Sequence, residues 1–328
     1  MYTVSASPHI HAKQNVNRIM YDVIIALLPA FGVSILFFGM SALYTTLIAI
    51  LSCIVIEFLI HKFLFKKQDF SIKDGSAVIT GMLLAFNVPS SIPWWIIIIG
   101  SFVAIGIAKM SFGGLGNNIF NPALVGRVFL LISFPVDMTL WPKTTLNQSV
   151  DGLTGPTPLA LLKEGIVSGK NIMQIKGLPN YQDMFLGNIG GSLGEISALA
   201  IIIGGIYLLF RKVITWHIPV FVLLSMFVFS GIFYLLNPYM YINPLFHLLS
   251  GGAMLGAWFM ATDMATSPMT IKGQIIFAVG IGIITMIIRM FGAYPEGISF
   301  AILLMNAVVP LLNKISPSRY GSSLSIKK

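Results

Sequence analysis

The chain has 328 residues, 56% hydrophobic and 9% charged, with a net charge of +9 and a mean hydropathy of +0.88. Soluble domains average about a quarter charged residues, so this composition excludes a water-soluble globule and makes lipid part of the solvent. The basic residues punctuate apolar runs without forming a continuous surface, which excludes a nucleic-acid partner, and the lone Cys53 excludes a disulfide framework or a self-held iron–sulfur cluster.

Residues 1–19 are polar and include His9, His11, Lys13 and Arg18. They lack the apolar core and small-residue cleavage site of a signal peptide, so they read as a cytoplasmic N-terminal tail. The His9-x-His11 pair has no third ligand at metal spacing, and no metal site is expected. With about 20 apolar residues per crossing, ten segments follow: about 20–39, 42–60, 76–89, 92–109, 122–137, 193–210, 217–236, 245–262, 274–291 and 297–313. The third and fifth are short and interrupted, by Gly81 and Pro89 and by Pro122 and Gly126.

The fold class predicted is an all-α polytopic membrane protein of about ten helices. Residues 20–137 form a first five-helix half, and 193–313 a second. An insert at 138–192 separates them, and 314–328 is a C-terminal tail. The run from Gly81 to Asn87, followed by Pro89-Ser90-Ser91, echoes Gly256 to Asp263, followed by Thr266-Ser267-Pro268. Five spans per half would invert the second half relative to the first, an arrangement that builds sites near the midplane from broken helices. Chance likeness between apolar segments is the simpler alternative.

Lys62, Lys66, Lys67 and Lys73, then Arg211 and Lys212, then Lys314, Arg319, Lys327 and Lys328 all fall on the side of the N-terminus. Positive-inside logic makes that side cytoplasmic, with both termini inside a prokaryotic plasma membrane and the 138–192 insert outside. The insert has nearly balanced charge.

The Gly-rich stretch from Ser111 to Leu124 lacks the preceding strand of a dinucleotide fingerprint. It reads as a tight turn entering a helix, or as a place where Asn117, Asn118 and Asn121 bond a flavin edge or line an ion path. Arg127, Asp263, Glu57 and Asp22 read as interfacial charges, with an ion path as the sharper alternative. His61, His217 and His247 suit interfacial rings, and no hydrolytic constellation or P-loop is present. In the insert, Asp151-Gly152 and Gly155-Pro156 are turn dipeptides, and Pro156 and Pro158 hold Thr157 extended on what reads as an exposed turn.

The run Asp151-Gly152-Leu153-Thr154-Gly155-Pro156-Thr157 resembles the flavinylation motif D-x-x-[S/T]-G-A-T, with Pro156 in place of the usual alanine. With Phe120 to Leu124, Met260 to Pro268 and Ser7-Pro8-His9, nearly the whole chain resembles the family that unites the D subunit of the Rnf complex with the B subunit of the sodium-pumping NADH:quinone reductase. The short N-terminus sides with the Rnf branch. The resemblance implies FMN joined through its phosphate to Thr157 by a flavin transferase that reads Asp151, Thr154, Gly155 and Pro156. It also implies a noncovalent riboflavin in the membrane part, for which Asn117, Asn118 and Asn121 are the candidate residues. The family moves electrons between ferredoxin and NAD with Na+ or H+ translocation, and other subunits hold the clusters, the NADH site and a second covalent flavin. No complete active site is then expected on this chain. A stand-alone transporter for a small polar solute and a purely structural membrane subunit are the rival readings.

Overall fold

The computed structural model describes residues 16–65, 74–142, 154–169, 171–175 and 177–315. The tail histidines, Asp151, and Lys66, Lys67, Lys73, Lys143, Lys170, Lys176, Arg319, Lys327 and Lys328 lie outside the described residues.

The protein is an all-α polytopic membrane protein. Helices α1 (Val16–Phe38) and α2 (Met40–Ile60), the latter continued by a π turn at His61–Phe65, form the first long pair. Helix α3 (Ser76–Phe86) is about 17 Å long at 1.5 Å per residue, too short to cross alone. Helix α4 (Trp94–Phe102) passes into a π turn at Val103–Ile107, and α5 (Pro122–Ser133) is followed by a single-turn α6 (Pro135–Thr139). The insert carries α7 (Pro158–Val167) and α8 (Tyr181–Leu186), with β1 (Trp141–Pro142) pairing antiparallel with β2 (Thr154–Gly155). Then follow α9 (Ala198–Phe210), α10 (His217–Leu236), α11 (Pro244–Leu249), α12 (Ala253–Leu255) with a π turn at Gly256–Met260, α13 (Ile271–Phe291) and α14 (Ile298–Leu312).

Five helical stretches among the described residues are long and apolar enough to cross a membrane: Val16–Phe38, Met40–Phe65, Trp94–Phe112, His217–Leu236 and Ile271–Phe291. Of the other predicted crossings, 297–313 is helical almost throughout as α14, and the remaining four are corrected to shorter pieces. The 76–89 segment stops at Phe86, where Pro89 ahead denies the helix its next donors. The 193–210 segment is helical only from Ala198, and 245–262 is split at Ser250 to Gly252, where Gly251 takes φ 63°. The 122–137 segment breaks before Pro135.

Broken backbone inside a membrane needs protein partners, and it finds them here. Gly194 N donates to Phe86 O at 3.0 Å, Leu193 N to Val88 O at 3.4 Å, and Ser34 Oγ to Leu193 O. The two breaks singled out by the echoing sequence runs meet: Asn87 Nδ2 lies 3.8 Å from Met260 Sδ. The main core runs through this junction, with Leu27, Leu84, Phe86, Leu124, Ile201, Leu255, Phe277 and Ile302 buried together. Close crossings depend on small residues: a Cβ on Gly204 would sit 2.0 Å from Ala26 O, so α9 rests directly on the backbone of α1.

Candidate functional site

The β1–β2 ladder places Trp141 opposite Gly155 and Pro142 opposite Thr154, and feeds the chain through Pro156 into Thr157. Pro158 occupies the first helical position of α7, where its missing N–H costs nothing. Thr157 is the N-cap: its backbone is extended and its Oγ1 accepts from Ala160 N at 3.2 Å. The exposed turn expected from sequence is therefore corrected. Thr157 is only 4% exposed, because Leu159 and Leu162 dock α7 into an apolar cluster with Met184, Leu193 and Phe246. Lys163 Nζ fastens the helix further, donating to Gly292 O and to Tyr294 O at 3.0 Å. Partial burial pushes the Lys163 ammonium below its usual pKa. Thr154 and Pro156 stay exposed and Gly155 half-buried. A hydroxyl at a helix N-terminus suits an anionic substituent, since the helix dipole favours negative charge there.

A second concavity lies at the opposite end of the bundle, with about 800 Å³ of empty space including its open mouth. Its walls come from both halves: Val23 of α1, Leu83 of α3, Leu208 of α9, Phe259 of the π turn, and Asn118, Asn121 and Asp263. The three candidate asparagines behave differently. Asn117 is exposed, packs over Gly113 and does not line the pocket. Asn121 caps α5, its Oδ1 accepting from Ala123 N at 3.1 Å and Leu124 N at 3.3 Å, while its Nδ2 donates to Met260 O at 3.2 Å. Its amide is thus committed to joining the halves. Asn118 is buried in the wall, its Nδ2 donates to Phe120 O at 3.2 Å, and its Oδ1 has no partner among the described residues. A buried acceptor without a partner, on a residue that lines a pocket, calls for an explanation.

Three of the charges singled out from the sequence are buried in the protein and paired, while Asp263 is half-buried in the pocket wall. Glu57 is 0% exposed and accepts from Lys109 Nζ at 2.9 Å on each carboxylate oxygen, while the same ammonium donates to Ser76 Oγ at 2.7 Å. Lys109 and Ser76 both line the pocket. Arg127, 3% exposed, donates to Glu296 and to Ser299 Oγ, so α5 is tied to the start of α14. Asp22 pairs with Arg211 at 3.1 Å and accepts from Tyr207 Oη at 3.0 Å. Lys109, Glu195, Arg289 and Glu296 were not singled out from the sequence. An ionisable residue within an apolar run was the signal that could have found the first three.

The model of a family described as NQR2, RnfD, RnfE matches residues 3–321. The D subunit of a Na(+)-translocating ferredoxin:NAD(+) oxidoreductase complex from Acetobacterium woodii is 48% identical over 328 residues, 99% of this chain and 97% of that protein. The D subunit of a proton-translocating ferredoxin:NAD(+) oxidoreductase complex from Clostridium ljungdahlii is 43% identical over 325 residues, covering 98% and 97%. The D subunit of an ion-translocating oxidoreductase complex from Escherichia fergusonii is 36% identical over 351 residues, covering 98% and 99%.

Proposed function

The chain belongs to the NQR2, RnfD, RnfE family, and from that premise we propose that it is the membrane-embedded, flavin-bearing D subunit of an ion-translocating ferredoxin:NAD oxidoreductase. FMN is esterified through its phosphate to Thr157 Oγ1 after a flavin transferase reads the Asp151–Thr157 run. Na+ or H+ is moved by the assembled complex, in which lipid and the other Rnf subunits are the remaining partners. The insert that carries Thr157 faces the extracytoplasmic side, as the distribution of lysine and arginine among the loops indicates.

One observation carries this reading: the threonine at the end of the motif is the N-cap of a docked helix. A phosphoester at that oxygen would sit at the positive end of α7. When bound, the flavin supplies the one- and two-electron chemistry that protein side chains lack. The chain contributes the attachment oxygen, the helix end that balances the phosphate charge, and the docked surface that orients the tether.

The pocket at the other end of the bundle is proposed to take the noncovalent riboflavin. Its apolar walls suit a ring system, and Asn118 in its wall keeps a partnerless oxygen that a small side-chain rotation would offer to the flavin's ring N–H. Asn121 shapes the wall, and Asn117 takes no part. The Thr157 cap and this pocket lie toward opposite ends of one helical bundle, and each would hold one flavin. The coupling ion does not follow from the overall likeness, since relatives at 48% and 43% identity are named for sodium and for protons respectively.

The test is ultraviolet fluorescence of the denatured band, with the chain expressed alongside a flavin transferase. The wild-type band is expected to fluoresce, and Thr157→Val is expected to be dark while still membrane-inserted. A dark wild-type band alongside a flavinylated control protein favours the solute-transporter reading.

A further inference from the structure

On the α7 side of the bundle, the two halves enclose a set of ionisable groups that flavin attachment does not use. Glu195 lies in the non-helical stretch before α9 and is 4% exposed. Its Oε1 accepts from Ser192 N at 3.2 Å, and its Oε2 is buried with no hydrogen-bond partner among the described residues. That oxygen faces Gly252, where an added Cβ would come within 3.3 Å of it and 3.9 Å of Arg127 Nη1.

Arg127 Nη1 thus lies by the same Gly252 position as Glu195 Oε2, yet the Arg127 guanidinium is already engaged with Glu296 and Ser299. The other buried cation, Arg289 of α13, donates to His247 O at 2.5 Å and Ser250 O at 3.0 Å, capping the end of α11. His247 of α11 is buried beside it, and Lys163 of α7 is bound to the carbonyls of Gly292 and Tyr294. Two carboxylates thus share one directly paired cation. A bare, ionised carboxylate oxygen in so buried a place is costly, and a proton neutralises it. A metal cation fits poorly, because two guanidinium groups flank the site. Among the described residues no group of three or more His, Cys, Asp or Glu side chains could hold one.

We propose that Glu195 is a proton-binding carboxyl whose partner in exchange is Glu296, with Arg127 pairing whichever of the two is ionised. In this proposal the proton resides on Glu195, whose Oε2 is bare, while Arg127 is paired with Glu296. Transfer of that proton to Glu296, whose side chain is 12% exposed, leaves Glu195 ionised and Arg127 turned toward it. The proton then passes to water on the α7 side. The site requires no flavin on Thr157, so its failure and that of the attachment reading are separable.

The test is infrared difference spectroscopy of the purified, assembled complex during pH titration. A carboxylic-acid C=O band present in the wild type at neutral pH is expected to be lost in Glu195→Gln and moved in frequency in Glu195→Asp. Glu296→Gln is expected to lose the same band, because Arg127 is released to pair with Glu195. An undiminished band in Glu195→Gln overturns the assignment. An undiminished band in Glu296→Gln overturns the shared arginine, and this variant carries the test if Glu195→Gln does not assemble.

Discussion

Among the residues of the candidate pocket, neighbouring asparagines with the same side chain do opposite work. Asn121 spends its amide on the α5 cap and on Met260 O, whereas Asn118 keeps a buried acceptor free. Asn118→Leu is expected to abolish riboflavin in the denatured extract of the purified complex while the covalent flavin fluorescence on this chain persists. Unchanged riboflavin would place that cofactor elsewhere. Asn121→Ala is expected instead to lower the unfolding temperature, since losing an N-cap costs about 1 kcal/mol before the bond to Met260 is counted. Part of this was legible beforehand. Asn121-Pro122, Thr157-Pro158 and Asn243-Pro244 all carry a capping residue before proline, and all three start helices. Reading Thr157 as an exposed turn overlooked that signal. The pairing of Glu57 with Lys109 was not legible, because 52 residues separate them and only packing of α2 against the end of the α4 run unites them.

At the scale of elements, composition and period identify the long helices well, since α1, α2, α10 and α13 are long, uninterrupted and apolar. They overstate the broken ones. An apolar run cannot announce that its backbone will leave the helix when a neighbour supplies the missing hydrogen bonds, as Phe86 O does for Gly194 N. Helix contacts are set at glycines, and the contrast between two of them is a direct test. Gly204 faces Ala26 O at 2.0 Å from its would-be Cβ, while Gly32 of α1 meets nothing within 4 Å. Gly204→Ala must push α1 and α9 apart and is expected to destabilise by about 1–3 kcal/mol. Gly32→Ala is expected to be neutral or stabilising by up to about 1 kcal/mol through helix propensity. Thermal unfolding in detergent checks both, and equal effects would contradict the packing described.

At the scale of the whole molecule, the proposed work needs the Thr157 end and the pocket end on opposite sides of the membrane. Ser168 is exposed just beyond α7, and Lys212 is exposed in the turn after α9. The native Cys53 is fully buried and is expected to stay silent toward a bulky thiol reagent. In intact cells, Ser168→Cys is expected to react with a membrane-impermeant maleimide, and Lys212→Cys only after permeabilisation. The reverse pattern would turn the molecule over and put flavin attachment in the cytoplasm. The side expected for each loop rests on lysine and arginine placement alone. The meeting of the two halves at Asn87 and Met260 was suggested only by the echo between 81–87 and 256–263.

The most direct measurement is the mass of the proteolytic peptide spanning Thr157, taken from chain produced with an active flavin transferase. A peptide heavier by one esterified FMN, with fragmentation placing the addition on Thr157, is the expected result. An unmodified peptide from that preparation would contradict the account.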